Sequence, residues 1–485
     1  MSQVADIAAE LDAAPALRAS RRAIGGSGAW VVGGAVRDAA LGREVTDVDL
    51  AVTAGTEEVA AAAIADAANA HAFLLSEEFA TWRVTPRGAD WRLDLAPLRG
   101  GAMEADLALR DFTVNAMALE LTDAGDPMGT ILDPLDGMAD LESGVLRVAS
   151  QDAFLADPIR IARAARFGAA LELEIDSATL ELARASAGIA ADPAGERIFA
   201  ELRAIMLGPA PVRGLELLDQ LGATVTLLPE LDALRDVTQT PYHHRDVHGH
   251  SIEVLERYVE LQRDLESGVG PELAQDVAAV LDEKLADEMT RGDALRFGAL
   301  LHDIGKPATR QVNEEGRVSF WGHDKLGAEM TRELCTRMRT SRRFADFLAL
   351  VTENHLRLGF LVHKQPLSRR AVFDYLQATQ PYCVEATVLT IADRLATHSG
   401  RTKPQAIAAH LELARGLLGE ALTWERDGGP TAPIRGDELA AELGIEPGPE
   451  LGRLLAEVEA AVFAGEVSSR EDAVQLAAAS AESPD

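Results

Sequence analysis

Between Trp30 and Thr53 the pattern of apolar and polar positions changes period twice. Trp30–Val32 is a continuous apolar run, the mark of a short buried strand, and it stops at Gly33-Gly34. A short helix is predicted over AVRDAALG, ended by Gly42. From Asp47 the run D-V-D-L-A-V alternates, so Asp47 and Asp49 share one strand face while Val48, Leu50 and Val52 line the other. Thr56–Ala70 reads as a helix, with Thr56 as cap and Glu57 and Glu58 in the first turn. ATWRVTP and WRLDLAP read as strands, and in the second Arg92 and Asp94 alternate with Leu93 and Leu95. ADLALRDFTVNAMAL places Arg110, Asp111 and Asn115 ahead of an apolar helix, and Asp136-Gly137 marks a flexible joint.

Beyond about residue 150 the period becomes helical throughout. In FLADPIRIARAARF, Asp157 is expected to cap a helix with Pro158 at its first position and a stripe of Arg160, Arg163 and Arg166. GERIFAELRAIM begins another amphipathic helix, and residues 262–294 read as an acidic insertion or exposed hairpin. ASAESPD reads as a disordered tail. The expected class is α+β: a small N-terminal α/β head (residues 1–150), then helical regions over 151–240, 241–400 and 401–485.

Composition narrows this further. The 485 residues are 47% hydrophobic but only 5% aromatic, which suits a helix-rich globular protein. No run of ~20 uncharged apolar residues suggests a transmembrane helix, and the N-terminus lacks a signal-peptide pattern. Cys335 and Cys383 make no disulfide framework, so a cytoplasmic protein is expected. The net charge of −32 runs against nucleic-acid binding as a global term, yet local patches decide binding. Lysine is absent before Lys284, so arginine carries the positive charge of the first half.

Two neighbouring carboxylates on one strand repel each other, and a hard cation such as Mg²⁺ offsets that repulsion. With Asp47 and Asp49 holding Mg²⁺, Gly33-Gly34 backbone groups facing a phosphate and Arg37 pairing a phosphate oxygen, the stretch suits nucleotidyl transfer. Asp94 is either a third carboxylate of that site or a sheet-edge acid. Arg110, Asp111 and Asn115 are placed to meet a sugar or triphosphate. Cytosine and adenine each present an amino donor beside a ring-nitrogen acceptor, a polarity that a carboxylate and a guanidinium complement together. Asp157 and Arg160 therefore suit selection of C and A over G and U; the alternative is a helix cap with a basic face.

The ordered set GGAVRD, DVDL, RDFTVNA, DPLDG, DPIRIARAARF and GERIFAEL resembles the class II CCA-adding tRNA nucleotidyltransferases of the polymerase-β-like superfamily, over roughly residues 25–235. The resemblance implies template-independent addition of C, C and A from CTP and ATP to tRNA 3′ ends. It assigns Mg²⁺ to Asp47 and Asp49, the incoming base to Asp157 and Arg160, and ribose and phosphates to Arg110, Asp111 and Asn115. Two positions depart from the family pattern: Ala156 stands where Glu is frequent, and Leu109 where Arg is frequent. The stretch EEFATWRVT lacks the basic-aromatic insertion of bacterial poly(A) polymerases, which favours CCA addition.

A second chemistry lies in the other half. Of 11 histidines only His71 precedes residue 240. The order His250, His302-Asp303, Asp393 resembles the HD-domain phosphohydrolases, in which such residues hold a divalent metal. His323 and His355 would either complete a two-metal version or bind phosphate, while His243, His244 and His248 are expected at the surface or behind the ligands. The resemblance names the 241–400 region an HD domain, the 151–240 region a neck and body, and the C-terminal segment a tRNA-contacting tail.

Overall fold

The computed structural model describes residues 2–88, 90–397 and 403–481. It divides into two compact units, residues 1–227 and 228–485. No helix among the described residues is long and apolar enough to cross a membrane.

The first unit is built on one mixed sheet. Its strands are β1 (Trp30–Val32), β2 (Asp47–Val52), β3 (Ala70–Ser76), β4 (Thr81–Pro86), β5 (Arg92–Pro97), β6 (Ala118–Glu120) and β7 (Ile131–Leu132), in the order β3-β4-β5-β2-β1-β6-β7. β2 and β5 run parallel, in a register that sets Asp49 beside Asp94; the other pairs are antiparallel. The predicted alternation holds. Val48, Leu50, Val52, Leu93 and Leu95 are buried against Ala61 and Ile64 of a helix spanning Glu57–Ala68. On the opposite face Ala51 is buried with Val32, Leu107, Ala116 and Ala118, which leaves Asp47 and Asp49 at the open end of that face.

Three local expectations are corrected. The apolar run after Asn115 does not form a helix: Thr113–Asn115 is one 3₁₀ turn, and Ala118–Glu120 is strand β6 because its backbone pairs with β1. Asp157 does not cap the arginine helix with its side chain. Ala153–Ala156 forms a short helix of its own, Asp157 is extended after it, and α1 (Arg160–Ala170) begins beyond Pro158. The expected joint at Asp136-Gly137 is a tightly packed corner: Asp136 has φ 55°, and an added Cβ at Gly137 would stand 2.1 Å from the Thr113 carbonyl oxygen. Packed on α1 is α2 (Gly195–Leu207).

The second unit is helical. Its centre is α3 (Val247–Arg263), α4 (Arg291–Leu301), α5 (His323–Arg337), α6 (Arg342–Asn354) and α7 (Cys383–Ala396), followed by the 24-residue α8 (Pro404–Asp427). The acidic stretch 262–294 forms two short helices and a hairpin, Lys284–Ala286 with Met289–Thr290, whose Leu285 and Met289 are buried rather than exposed. Three C-terminal helices enclose a small core of their own around Leu439, Leu454, Val458 and Ala473. The last helix runs to Ala481, into the stretch expected to be disordered; residues 482–485 of that tail lie outside the described residues.

Arg291 on α4 ties this unit together. Its guanidinium donates to Glu385 of α7, Glu425 of α8 and Glu283, and Glu385 is fully buried. Removing one partner of such a pair strands a charge in the interior. Arg291→Met is therefore expected to cost about 3–5 kcal/mol, read as a lowered denaturant midpoint of the transition that carries this unit.

Candidate functional site

In the first unit the three carboxylates Asp47, Asp49 and Asp94 meet on neighbouring strands. Asp49 is surrounded by protein groups, although the residue as a whole is exposed. Desolvation raises its pKa and the charges of Asp94 and Asp47 add to the rise, while Arg110 opposes it. Asp94 accepts a two-pronged bond from Arg83 at 2.7 and 2.8 Å, and exposed Asp47 is paired with Arg92 at 2.9 Å. Gly33, with φ 73°, turns the chain directly over this site. An added Cβ would lie 2.9 Å from Arg110 Nη1 and 3.5 Å from Asp49 Oδ2. Only glycine enters that conformation without a Cβ penalty. Gly33→Ala is expected to destabilise the unit by about 1–2 kcal/mol, measured by chemical unfolding.

The arginines are positioned rather than free. Arg37, expected to face a phosphate, is buried: it donates to Asn115 Oδ1 at 2.6 Å and grips Asp38 at 2.9 Å. Asn115 donates in turn to Asp111 at 3.0 Å, and Asp111 accepts from Arg163. Arg163 and Arg166 share Glu201 of α2, and Arg166 lies over the Phe167 ring at 4.1 Å. Burial would raise the Asp111 pKa, but Arg163 and Asn115 overcome it and hold the acid below its usual range. The Gly33 N–H is used by the Met117 carbonyl at 3.2 Å, so Gly33 does not offer it to a phosphate; Gly34 opens the short helix Gly34–Ala40.

This network walls a cavity of about 360 Å³ lined by Arg110, Asp111, Asp157, Arg160, Arg163 and Arg197, among others. Asp157 Oδ2 accepts from Arg197 at 2.8 Å, and its other oxygen carries no hydrogen bond among the described residues. Arg160 is anchored by the carbonyls of Leu109 and Arg110 at 2.8 and 3.2 Å. Sequence reasoning missed three residues here. Arg99 lines the cavity, and Asp106, almost fully buried, fixes both Arg99 and Arg110, while Arg83 braces Asp94. Arg197, on the helix that the resemblance implies buttresses the nucleotide pocket, braces Asp157. The Asp106–Arg110 spacing of four was the one legible signal.

In the second unit the six expected residues come together as two triads, His250/His302/Asp393 and Asp303/His323/His355. Asp303 touches both. Its Oδ2 lies 3.2 Å from His302 Nε2 and 3.8 Å from His250 Nε2, and its Oδ1 lies 3.3 Å from His323 Nε2 and 3.6 Å from His355 Nε2. Each of His302, His323 and His355 directs Nδ1 to the carbonyl three residues earlier, at 2.9, 2.6 and 2.6 Å. That bond fixes the tautomer and leaves the Nε2 lone pair for a metal. His323 and His355 then bring two such nitrogens within 3.3 Å, and Asp303 Oδ1 is buried with no hydrogen-bond donor. Lone pairs converging on a buried carboxylate fit a divalent cation and little else. Burial would raise the Asp303 pKa, but His302 and Lys306 hold it well below its usual range. Of the remaining histidines, His243 packs on the His250 ring with centroids 5.0 Å apart, and His244 pairs with Glu253.

Comparison with known proteins supplies the family. Residues 29–147 match the poly(A) polymerase head domain, residues 172–235 the "probable RNA and SrmB-binding site of polymerase A", and residues 247–398 the HD domain. The chain is 32% identical to the A-adding tRNA nucleotidyltransferase of Deinococcus radiodurans over 452 residues, covering 92% of this chain and 94% of that relative. The chain belongs to the tRNA nucleotidyltransferase family. It is also 32% identical to the CC-adding tRNA nucleotidyltransferase of Geobacter sulfurreducens, over 95% of this chain and 93% of that one. The multifunctional CCA protein of Halorhodospira halophila is 34% identical over 67% of this chain and 72% of that one. The fold agrees with a CCA-adding enzyme solved with CTP (TM-score 0.60, 22% identity, 94% of this chain and 92% of that one). It agrees as well with the Thermotoga maritima CCA-adding enzyme complexed with tRNA (TM-score 0.55, 21% identity, 94% and 91%). As a tRNA nucleotidyltransferase with an HD domain, the chain is a nucleotidyltransferase that uses divalent metal.

Proposed function

We propose that the chain adds C, C and A to tRNA 3′ ends, using CTP, ATP and Mg²⁺. The observation that carries this reading is the juxtaposition of three carboxylates with a separate arginine-lined cavity that holds Asp157 and Arg160. Asp47, Asp49 and Asp94 are the metal-binding carboxylates. Bound there, Mg²⁺ would lower the pKa of the tRNA 3′ hydroxyl and neutralise the departing pyrophosphate. Arg110, beside Gly33 and Asp49, meets the triphosphate. Gly33 and Gly34 let the backbone approach it, and Asp111, Asn115, Arg37, Arg163 and Arg166 hold the cavity wall and the ribose side. The free oxygen of Asp157 accepts from the amino group of C or A, and the anchored Arg160 guanidinium donates to the ring nitrogen. G and U present the opposite polarity and meet like groups.

In this reading residues 1–150 form the transferase head, 151–240 the neck and body, 241–400 the HD domain and 401–485 the tail, in a protein of the cytoplasm. The HD cluster suits a phosphohydrolase centre in which His250, His302 and Asp393 would hold one divalent ion and Asp303, His323 and His355 would hold another. A partial enzyme is the second reading, because two relatives matched over more than nine-tenths of the chain are an A-adding and a CC-adding protein. Incubation with a tRNA lacking its terminal CCA, in CTP and ATP with Mg²⁺, should extend the 3′ end, and EDTA should stop it; an unextended end would refute the reading. Arg160→Ala should cut the preference for CTP and ATP over UTP and GTP by at least about tenfold, measured as kcat/KM for each nucleotide. An unchanged preference would remove Arg160 from base selection.

A further inference from the structure

Asp106, on the short helix Met103–Ala108, is a carboxylate only 2% exposed, and it serves two cations at once. Its Oδ2 accepts from the Arg99 backbone N–H at 3.1 Å and from Arg99 Nε at 3.0 Å, and its Oδ1 accepts from Arg99 Nη2 at 3.2 Å. The same Oδ1 accepts from Arg110 Nε and Nη2 at 3.3 and 3.2 Å. Burial raises the Asp106 pKa, but Arg99 and Arg110 outweigh it and hold the acid below its usual range. It is therefore a buried carboxylate that stays ionised at neutral pH.

Two guanidiniums on one carboxylate leave one positive charge in excess. The other arginines of this cavity have partners of their own: Arg163 pairs with Asp111 and Glu201, Arg197 with Asp157, and Arg160 is tied to backbone carbonyls. The pairing with Asp106 is also directional. Each guanidinium turns its Nε and Nη2 edge to the carboxylate, and Nη1 of both Arg99 and Arg110 makes no hydrogen bond among the described residues. Arg99 is half-exposed and lines the cavity with Arg110. Two donors held side by side with a net positive charge fit an anion that carries several oxygen acceptors. Arg110 stands beside Gly33 and Asp49, at the metal end of the site, so the anion it meets there is the phosphate chain of the nucleotide.

We propose that Arg99 binds the β- and γ-phosphates of the incoming nucleotide beside Arg110, and that Asp106 is the positioning residue that holds the two guanidiniums as one clamp. This rests on reading the head as the site of CMP and AMP transfer. The clamp reads phosphate and not base, so it serves CTP and ATP alike. It grips the nucleotide before and during the reaction, so its loss raises KM more than it lowers kcat.

The test is equilibrium binding of CTP and of CMP to the full-length chain in Mg²⁺ without tRNA, with kcat and KM for CTP measured on a tRNA ending before CCA. Comparison of each variant with the parent isolates the head. Arg99→Ala should weaken CTP about tenfold and leave CMP within about twofold. Its KM for CTP should rise about tenfold while kcat falls less than about threefold. Asp106→Asn keeps the shape and removes the charge, and it should likewise weaken CTP much more than CMP. Adding Arg99→Ala to Asp106→Asn should weaken CTP by no more than about a further twofold, because the two residues act as a unit. A merely structural Asp106 would weaken CTP and CMP alike, and that result overturns its positioning role. Should Asp106→Asn fail to fold, the half-exposed Arg99 decides alone: unchanged CTP affinity in Arg99→Ala overturns the proposal. If the parent extends no tRNA while Arg99→Ala still loses CTP and keeps CMP, the transfer reading fails and the clamp stands. If the parent extends tRNA and Arg99→Ala shows no such loss, the reverse holds.

Discussion

Asp49→Ala abolishes nucleotide addition, lowering kcat by ~10³-fold or more, and leaves the protein at least as stable as before. Both halves of this expectation have one cause. Asp49 is desolvated and faces the like charges of Asp94 and Asp47, so its pKa is raised. An acid whose folded pKa exceeds its unfolded pKa is destabilising when ionised, and the penalty is present at neutral pH. It fades as pH falls through the folded value and is gone below the unfolded value. In EDTA the parent should therefore unfold at a lower temperature than Asp49→Ala at pH 7, and the gap should close toward pH 3–4. Adding Mg²⁺ should raise the parent and not the variant. A variant that loses activity because it is misfolded would show the opposite order, and a variant that retains activity would exclude Asp49 from the chemistry.

His302→Ala separates the two centres. The ring nitrogen of His302 faces Asp303 and its other nitrogen is fixed by the Ala299 carbonyl. Its loss takes a ligand from one triad and a neighbour from the shared carboxylate. Bound divalent metal at the HD site should fall from two ions per chain to one or none, and phosphoester hydrolysis should drop by at least 10²-fold. Nucleotide addition should stay within about twofold of the parent, because the partners of His302, Asp303 and the Ala299 carbonyl, are not residues of the head's site. Elemental analysis of the purified chain and the two activity assays read these outcomes. If His302→Ala abolished CCA addition, the helical centre and not the sheet would be the seat of transfer.

Much of this was legible in the sequence, for identifiable reasons. The alternation D-V-D-L-A-V fixes which side chains share a face, so the pairing of Asp47 with Asp49 follows from strand geometry alone. The parallel register that brings Asp94 beside Asp49 does not, since it depends on how β2 and β5 align across 45 residues of chain. Ala118–Glu120 read as helix because Ala, Met and Leu favour helix locally; pairing with β1 overrides that propensity. Asp157 reads as a cap wherever Asp precedes Pro, yet here Arg197, forty residues on, takes its carboxylate. Arg37 reads as a free phosphate ligand only until Asp38 and Asn115 are placed around it. In the HD unit the ligand order was recognisable, but the division of six residues from separate helices into two triads carries no local signal.

The central claim is that the head adds C, C and A. Three tRNA transcripts, ending before CCA, after the first C and after the second C, would each be given CTP alone, ATP alone or both with Mg²⁺, and their 3′ ends sequenced. Completion of all three to CCA, and no further, is the result expected here. Addition of A only to the transcript ending in CC, arrest at CC, or growth of long A tails would contradict it.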